Sequence, residues 1–210
     1  MNNWEQVLEE IPLIAILRGL TPGRAVDVAD VLVSAGFRII EVPLNSPDPL
    51  VSIERIAAKY SGDVVIGAGT VVDASSVNDV VNAGGQIIVS PNMNPMVGRS
   101  AAELGVKWCP GVATPSEAFS ALDLGAYMLK FFPAEIISAQ ALAAMRAVLP
   151  SNARCAIVGG ITPNKMADYL SAGADGFGLG SALFKPDYSM DELRKRAESF
   201  VSELGKYKKR

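Results

Sequence analysis

The chain has no histidine among its 210 residues. That removes the commonest general base and the commonest metal ligand together. A zinc site built on imidazole and a Ser-His-Asp triad are both excluded. Acid–base chemistry falls to carboxylates, lysine, tyrosine or water. Cysteine is nearly absent too. Cys109 and Cys155 are the only two, each beside apolar residues; buried free thiols of a reducing compartment are expected. No apolar run is long enough to span a bilayer. The opening Met1-Asn2-Asn3-Trp4-Glu5-Gln6 has no basic region followed by an apolar one, so no signal peptide is expected. Neither sign of charge dominates: 19 basic and 22 acidic side chains leave a formal net charge of −3. The positive charges are dispersed, which argues against nucleic acid or a membrane surface as partner. The basic end, Lys206-Tyr207-Lys208-Lys209-Arg210, reads as a solvated helix end. A soluble cytoplasmic protein is expected.

Half of the chain is hydrophobic and a fifth is charged, which excludes a disordered protein and allows one sizeable core. Two textures alternate. Short β-rich runs fall at Pro12–Leu17, Phe37–Val42, Val64–Ala68, Gln86–Ser90, Val106–Cys109, Tyr127–Phe131, Cys155–Val158 and Gly176–Leu179. Between them, helical periodicity marks Gly23–Ala35, Pro49–Tyr60, Ser75–Ala83, Met96–Leu104, Ser116–Leu124, Ala139–Val148 and Asn164–Ala172, with Met190–Leu204 closing the chain. Thr21-Pro22, Ser46-Pro47, Asn94-Pro95, Thr114-Pro115 and Thr162-Pro163 read as helix starts. Gly36, Gly84, Gly105 and Gly173 read as helix stops. About eight strand–helix units predict a single (β/α)8 TIM barrel of parallel strands, one domain over residues 1–210 with an N-terminal helix. A doubly wound open sheet is the alternative. In a parallel barrel, chemistry sits where the strands end, and the unusual residues cluster there.

Lys130 is the most informative of them. It lies in the apolar run Tyr127-Met128-Leu129-Lys130-Phe131-Phe132-Pro133. A buried ammonium is expensive to desolvate, so its pKa falls toward a neutral, nucleophilic amine. Such an amine forms Schiff bases with carbonyl substrates. The structural alternative is a lysine whose stem crosses the strand and whose head reaches water or a carboxylate. Glu41 follows Phe37-Arg38-Ile39-Ile40. Strand alternation puts it on the inward face of Ile39 and away from Arg38. A carboxylate there suits proton transfer beside an imine; an ion pair with Arg18 is the plainer reading. Arg18, after Leu13–Leu17, could grip a substrate carboxylate through two parallel hydrogen bonds.

Gly67-Ala68-Gly69-Thr70 allows close backbone approach and offers the Thr70 hydroxyl; a tight turn explains it equally well. Val158-Gly159-Gly160-Ile161-Thr162 and Gly178-Leu179-Gly180-Ser181 end the last two strands. Glycine loops there, with backbone N–H groups at a helix start, form the phosphate site of many barrels. Asn45, Ser46, Pro91, Asn92, Pro110 and Gly111 lie at other strand ends and receive no chemical role.

Taken in order, Ile40-Glu41-Val42-Pro43-Leu44, Gly67-Ala68-Gly69-Thr70-Val71, Lys130-Phe131-Phe132-Pro133-Ala134-Glu135 and Gly159-Gly160-Ile161 resemble the class I aldolases of 2-keto-3-deoxy-6-phospho sugar acids. The match covers nearly the whole chain. In the phosphogluconate branch, the segment after the glutamate typically reads Thr-Leu-Arg-Thr, with its arginine at the substrate carboxylate. Here it reads Pro43-Leu44-Asn45-Ser46. With Ile16-Leu17-Arg18-Gly19, this looks like the phosphogalactonate branch, Arg18 compensating. Phe132-Pro133-Ala134-Glu135 is closer to the phosphogluconate text, so both epimers stay open as substrates.

The resemblance implies Lys130 as Schiff-base lysine and Glu41 as proton shuttle. It implies Arg18 and Thr70 at the keto-acid end, and Gly160, Gly180 and Ser181 at the phosphate. It also implies a homotrimer without metal or cofactor, handling a phosphorylated keto-deoxy sugar acid, pyruvate and glyceraldehyde 3-phosphate. A 4-hydroxy-2-oxoglutarate aldolase of the same family, another phosphate-binding barrel enzyme and a non-catalytic phosphometabolite-binding barrel are the alternatives.

Overall fold

A computed structural model describes Val7, residues 11–60 and residues 62–207. The expected N-terminal helix and the last three residues of the basic C-terminal stretch lie outside the described residues, apart from Val7. Among the described residues, nine strands form one sheet: β1 (Leu13–Ile16), β2 (Ile39–Pro43), β3 (Val65–Gly69), β4 (Ile87–Val89), β5 (Lys107–Cys109), β6 (Gly111–Val112), β7 (Leu129–Phe131), β8 (Cys155–Val158) and β9 (Gly176–Leu179). Every pairing is parallel, and β1 joins β9, so the order runs β5-β4-β3-β2-β1-β9-β8-β7-β6. β5 and β6 are one stave of the ring, divided at Pro110. β5 pairs with β4 and β6 with β7. Proline has no N–H to give a ladder, which accounts for the division. Across the seam, Tyr127 N–H donates to the Trp108 carbonyl at 2.8 Å and Lys130 N–H to the Pro110 carbonyl at 2.9 Å. The result is an eight-staved (β/α)8 barrel, not an open doubly wound sheet.

The helices are α1 (Ala25–Ser34), α2 (Pro49–Lys59), α3 (Ser75–Asn82), α4 (Pro95–Glu103), α5 (Pro115–Asp123), α6 (Ala139–Arg146), α7 (Met166–Ser171) and α8 (Met190–Gly205). Their buried faces and the outward strand residues form the larger core, with Leu13, Ile40, Val42, Trp108 and Leu179. A second cluster fills the barrel: Ile14, Ile39, Val65, Ile87, Val89, Cys109, Met128 and Ala156. The two clusters alternate along each strand, as period two requires. Both cysteines are buried and free. Among the described residues, no helix is long and apolar enough to cross a membrane.

Several helix signals act as read. Asn94 and Thr114 cap α4 and α5, the latter through a capping box with Glu117. Gly36, Gly84, Gly105 and Gly173 all take positive φ at helix ends. Two proline signals stand ahead of the helices they announce. α1 begins at Ala25, beyond Thr21-Pro22, and α2 at Pro49, the first residue of its expected span but beyond Ser46-Pro47, after Asp48 in the left-handed region. The Ser46 hydroxyl is spent elsewhere, accepting from Gly19 N–H at 3.0 Å. The segment expected as one helix over Asn164–Ala172 is a 3₁₀ turn, Pro163–Lys165, followed by α7.

Candidate active site

The parallel ladders set six strand ends around one mouth. Ile16 on β1 is level with Glu41 on β2, and Glu41 with Gly67 on β3. On the far wall, Gly111 is level with Lys130, and Lys130 with Ala156. A cavity of about 370 Å³ opens there. All seven residues singled out from the sequence line it: Arg18, Glu41, Thr70, Lys130, Gly160, Gly180 and Ser181.

Lys130 is only 7% exposed and Glu41 2%. Those values rule out a lysine head snorkelling freely into water. Burial pushes the Lys130 amine below the usual lysine range, while Glu41 and Cys109 pull it back up. Its Nζ sits 4.9 Å from the centre of the Phe132 ring. Burial also raises the Glu41 carboxyl from 4.5 to about 7, against the pull of Lys130 and Arg18. Glu41 Oε2 has no hydrogen-bond partner within the protein. A buried carboxyl oxygen with no partner is costly without a task. Cys109, beside the pair, has its thiol pushed up to about 12 by burial and stays protonated.

Gly69 makes room for this carboxylate. A β-carbon on Gly69 would overlap both Glu41 oxygens. The glycine that reads as a tight turn in sequence is therefore a notch for the acid. The next residue, Thr70, holds φ +57°, a region that β-branched residues rarely occupy. It lines the cavity and accepts from Arg18 Nη2 at 3.4 Å.

Arg18 does not pair with Glu41 through hydrogen bonds. Its Nη1 donates to Asn45 Oδ1 at 2.6 Å. Arg38 is turned outward, donating to the Val33 and Phe37 carbonyls. At the opposite end, Gly159 and Gly160 take φ +114° and +54°. Lys165 Nζ donates to the Gly160 carbonyl at 3.0 Å. The Glu135 carboxylate packs behind both glycines, where a β-carbon on either would crowd it.

Phe132, Val158, Lys185 and Pro186 also line the cavity. The sequence offered little to mark them, since their places at the mouth follow only from where β7, β8 and β9 stop. Arg24 holds the outer rim, donating to the Pro186 carbonyl and, at 2.7 Å, to that of Tyr188. Among the described residues, no group of three or more His, Cys, Asp or Glu side chains is arranged to hold a metal ion.

A desolvated amine and acid at the C-terminal mouth of a parallel barrel are the groups that lysine-imine chemistry on a carbonyl substrate needs. A family model for KDPG and KHG aldolase matches residues 4–195. A probable 2-dehydro-3-deoxy-6-phosphogalactonate aldolase of Rhizobium meliloti (strain 1021) is 47% identical over 188 residues, covering 90% of this chain and 89% of that protein. The 2-dehydro-3-deoxy-6-phosphogalactonate aldolase of Escherichia coli (strain K12) is 43% identical over 192 residues, covering 91% and 94%. A solved structure described as native KDPGal superposes with a TM-score of 0.92 at 42% identity, covering 94% of this chain and 96% of the other. The chain belongs to the KDPG and KHG aldolase family; it is a carbon–carbon lyase of the Schiff-base class.

Proposed function

We propose that the chain cleaves 2-dehydro-3-deoxy-6-phospho-D-galactonate to pyruvate and D-glyceraldehyde 3-phosphate, in galactonate breakdown. The observation that carries the chemistry is the buried Lys130–Glu41 pair at the floor of a cavity with a cation at one side and glycine loops at the other. The Lys130 amine attacks the C2 ketone. Glu41 supplies the proton with which the carbinolamine oxygen leaves as water, giving an iminium. Glu41, now a carboxylate, takes the C4 hydroxyl proton. The C3–C4 bond breaks, its electrons pass into the iminium, and the aldehyde leaves. The enamine is protonated at C3, and water hydrolyses the iminium to release pyruvate and the free amine.

Arg18 and Thr70 bind the keto-acid end. Gly160, Gly180 and Ser181 hold the phosphate through backbone N–H groups and a hydroxyl. The phosphate grip supplies binding energy that orients the reacting carbons.

Asn45 in place of the branch-typical arginine, with Arg18 beside it, favours the galactonate epimer. Phe132-Pro133-Ala134-Glu135 favours the gluconate epimer as a second reading. Cleavage of the two epimers side by side, with pyruvate as readout, tests this. We expect higher kcat/KM on the galactonate epimer; equal or reversed values would overturn the assignment. The proposal includes one domain, a cytoplasmic location and a homotrimer. Ile136, Val148 and Met96 are the most exposed of the large hydrophobic side chains among the described residues, and exposed apolar side chains favour assembly.

A further inference from the structure

We propose that Asn45 is a positioning residue. It fixes the Arg18 guanidinium for a substrate carboxylate while leaving its charge unspent. The inference rests on the reading of Arg18 as the keto-acid ligand and deepens it.

Arg18 is exposed, and a free arginine side chain carries about 2 kcal/mol of rotamer entropy. Something must hold its fork if it is to meet a carboxylate in register. Asn45 Oδ1 accepts from Nη1 at 2.6 Å, whereas the Thr70 contact on Nη2 is a long 3.4 Å. The short bond is therefore the one that sets the fork. Two of the five guanidinium N–H donors are used, which leaves enough for a bidentate grip. Asn45 does not line the cavity, so it acts through Arg18.

The loop carrying Asn45 is itself pinned. Leu44 N–H donates to the Gly69 carbonyl at 2.8 Å, and Ser46 N–H to the Pro43 carbonyl at 2.9 Å. Buried Ser46 accepts from Gly19 N–H at 3.0 Å. Residues 45 and 46 thus clasp residues 18 and 19 from the neighbouring strand end. The chemistry of the partner matters as much as its place. A carboxylate at position 45 would hold the fork equally well but neutralise it. A neutral amide holds it and leaves the positive charge for the ligand.

The test uses purified full-length protein in the condensation direction, with pyruvate and glyceraldehyde 3-phosphate, comparing Asn45→Ala, Asn45→Asp and Arg18→Ala with wild type. Asn45→Ala should raise the pyruvate KM by roughly 5- to 20-fold, the loss of one charge-assisted hydrogen bond. Its kcat and its KM for the aldehyde should stay within about threefold. Asn45→Asp is nearly isosteric. It should raise the pyruvate KM further at pH 7.5, and part of the increase should disappear as the pH falls toward the carboxyl's own range. A merely structural loop residue would show no such charge and pH dependence. If Arg18→Ala raises the pyruvate KM but neither Asn45 variant does, this inference falls and the reading of Arg18 stands. If Arg18→Ala leaves the pyruvate KM unchanged, both fall.

Discussion

At the scale of single residues, the site is a contest between burial and charge. The folded protein holds the Glu41 proton more tightly than the unfolded chain, because burial raises its carboxyl from 4.5 to about 7. Stability therefore falls as pH rises through that window and stays lower above it. Glu41→Gln removes the burden. Its gain in unfolding free energy over wild type should be ~2–3 kcal/mol larger at pH 8 than at pH 4, as read by denaturant titration at the two pH values. The same variant should lose on the order of 10²-fold or more in kcat, and the ionisation near pH 7 should vanish from its pH–rate profile. Lys130→Ala should remain folded by circular dichroism and show no turnover. Borohydride with pyruvate should trap a pyruvate-derived adduct, located on Lys130 by peptide mass spectrometry, in wild type alone. An adduct on another lysine would remove Lys130 from its role.

At the scale of elements, the strand ends do the positioning. Gly69 at the end of β3 leaves space for the acid carried by β2. Gly69→Ala should displace the Glu41 carboxylate and lower kcat about as far as Glu41→Gln does, by on the order of 10²-fold. Thr114→Ala, which removes the capping box of α5, should cost about 1 kcal/mol of stability and leave kcat unchanged. Thermal unfolding and steady-state assays on both variants separate the two roles.

The legibility of the sequence follows the same division. β8 and β9 match their expected spans residue for residue, because four apolar or glycine residues between clear turn signals leave no other reading. Lys130 and Glu41 stood out because charge inside an apolar strand has few explanations. Asn45 did not, since an exposed amide in a loop has no local signature and its meaning comes from Arg18, 27 residues away. Ser46-Pro47 misled as the point where the helix begins for a related reason, its hydroxyl being claimed by Gly19 from the neighbouring strand end. The dyad β5–β6 read as a single short strand because a two-residue segment, Gly111–Val112, is below what periodicity can detect.

At the scale of the whole molecule, the proposed homotrimer predicts a solution mass near three times the 22.1 kDa chain by light scattering. A monomer peak at micromolar concentration would remove it from the proposal. The divided fifth stave matters at this scale as well. Pro110 has no N–H to give to β7, yet its carbonyl receives the backbone N–H of Lys130. The joint between β5 and β6 is thus also the bracket on which the nucleophile hangs. Whatever shifts that carbonyl shifts the backbone from which the amine projects into the cavity shared with the acid.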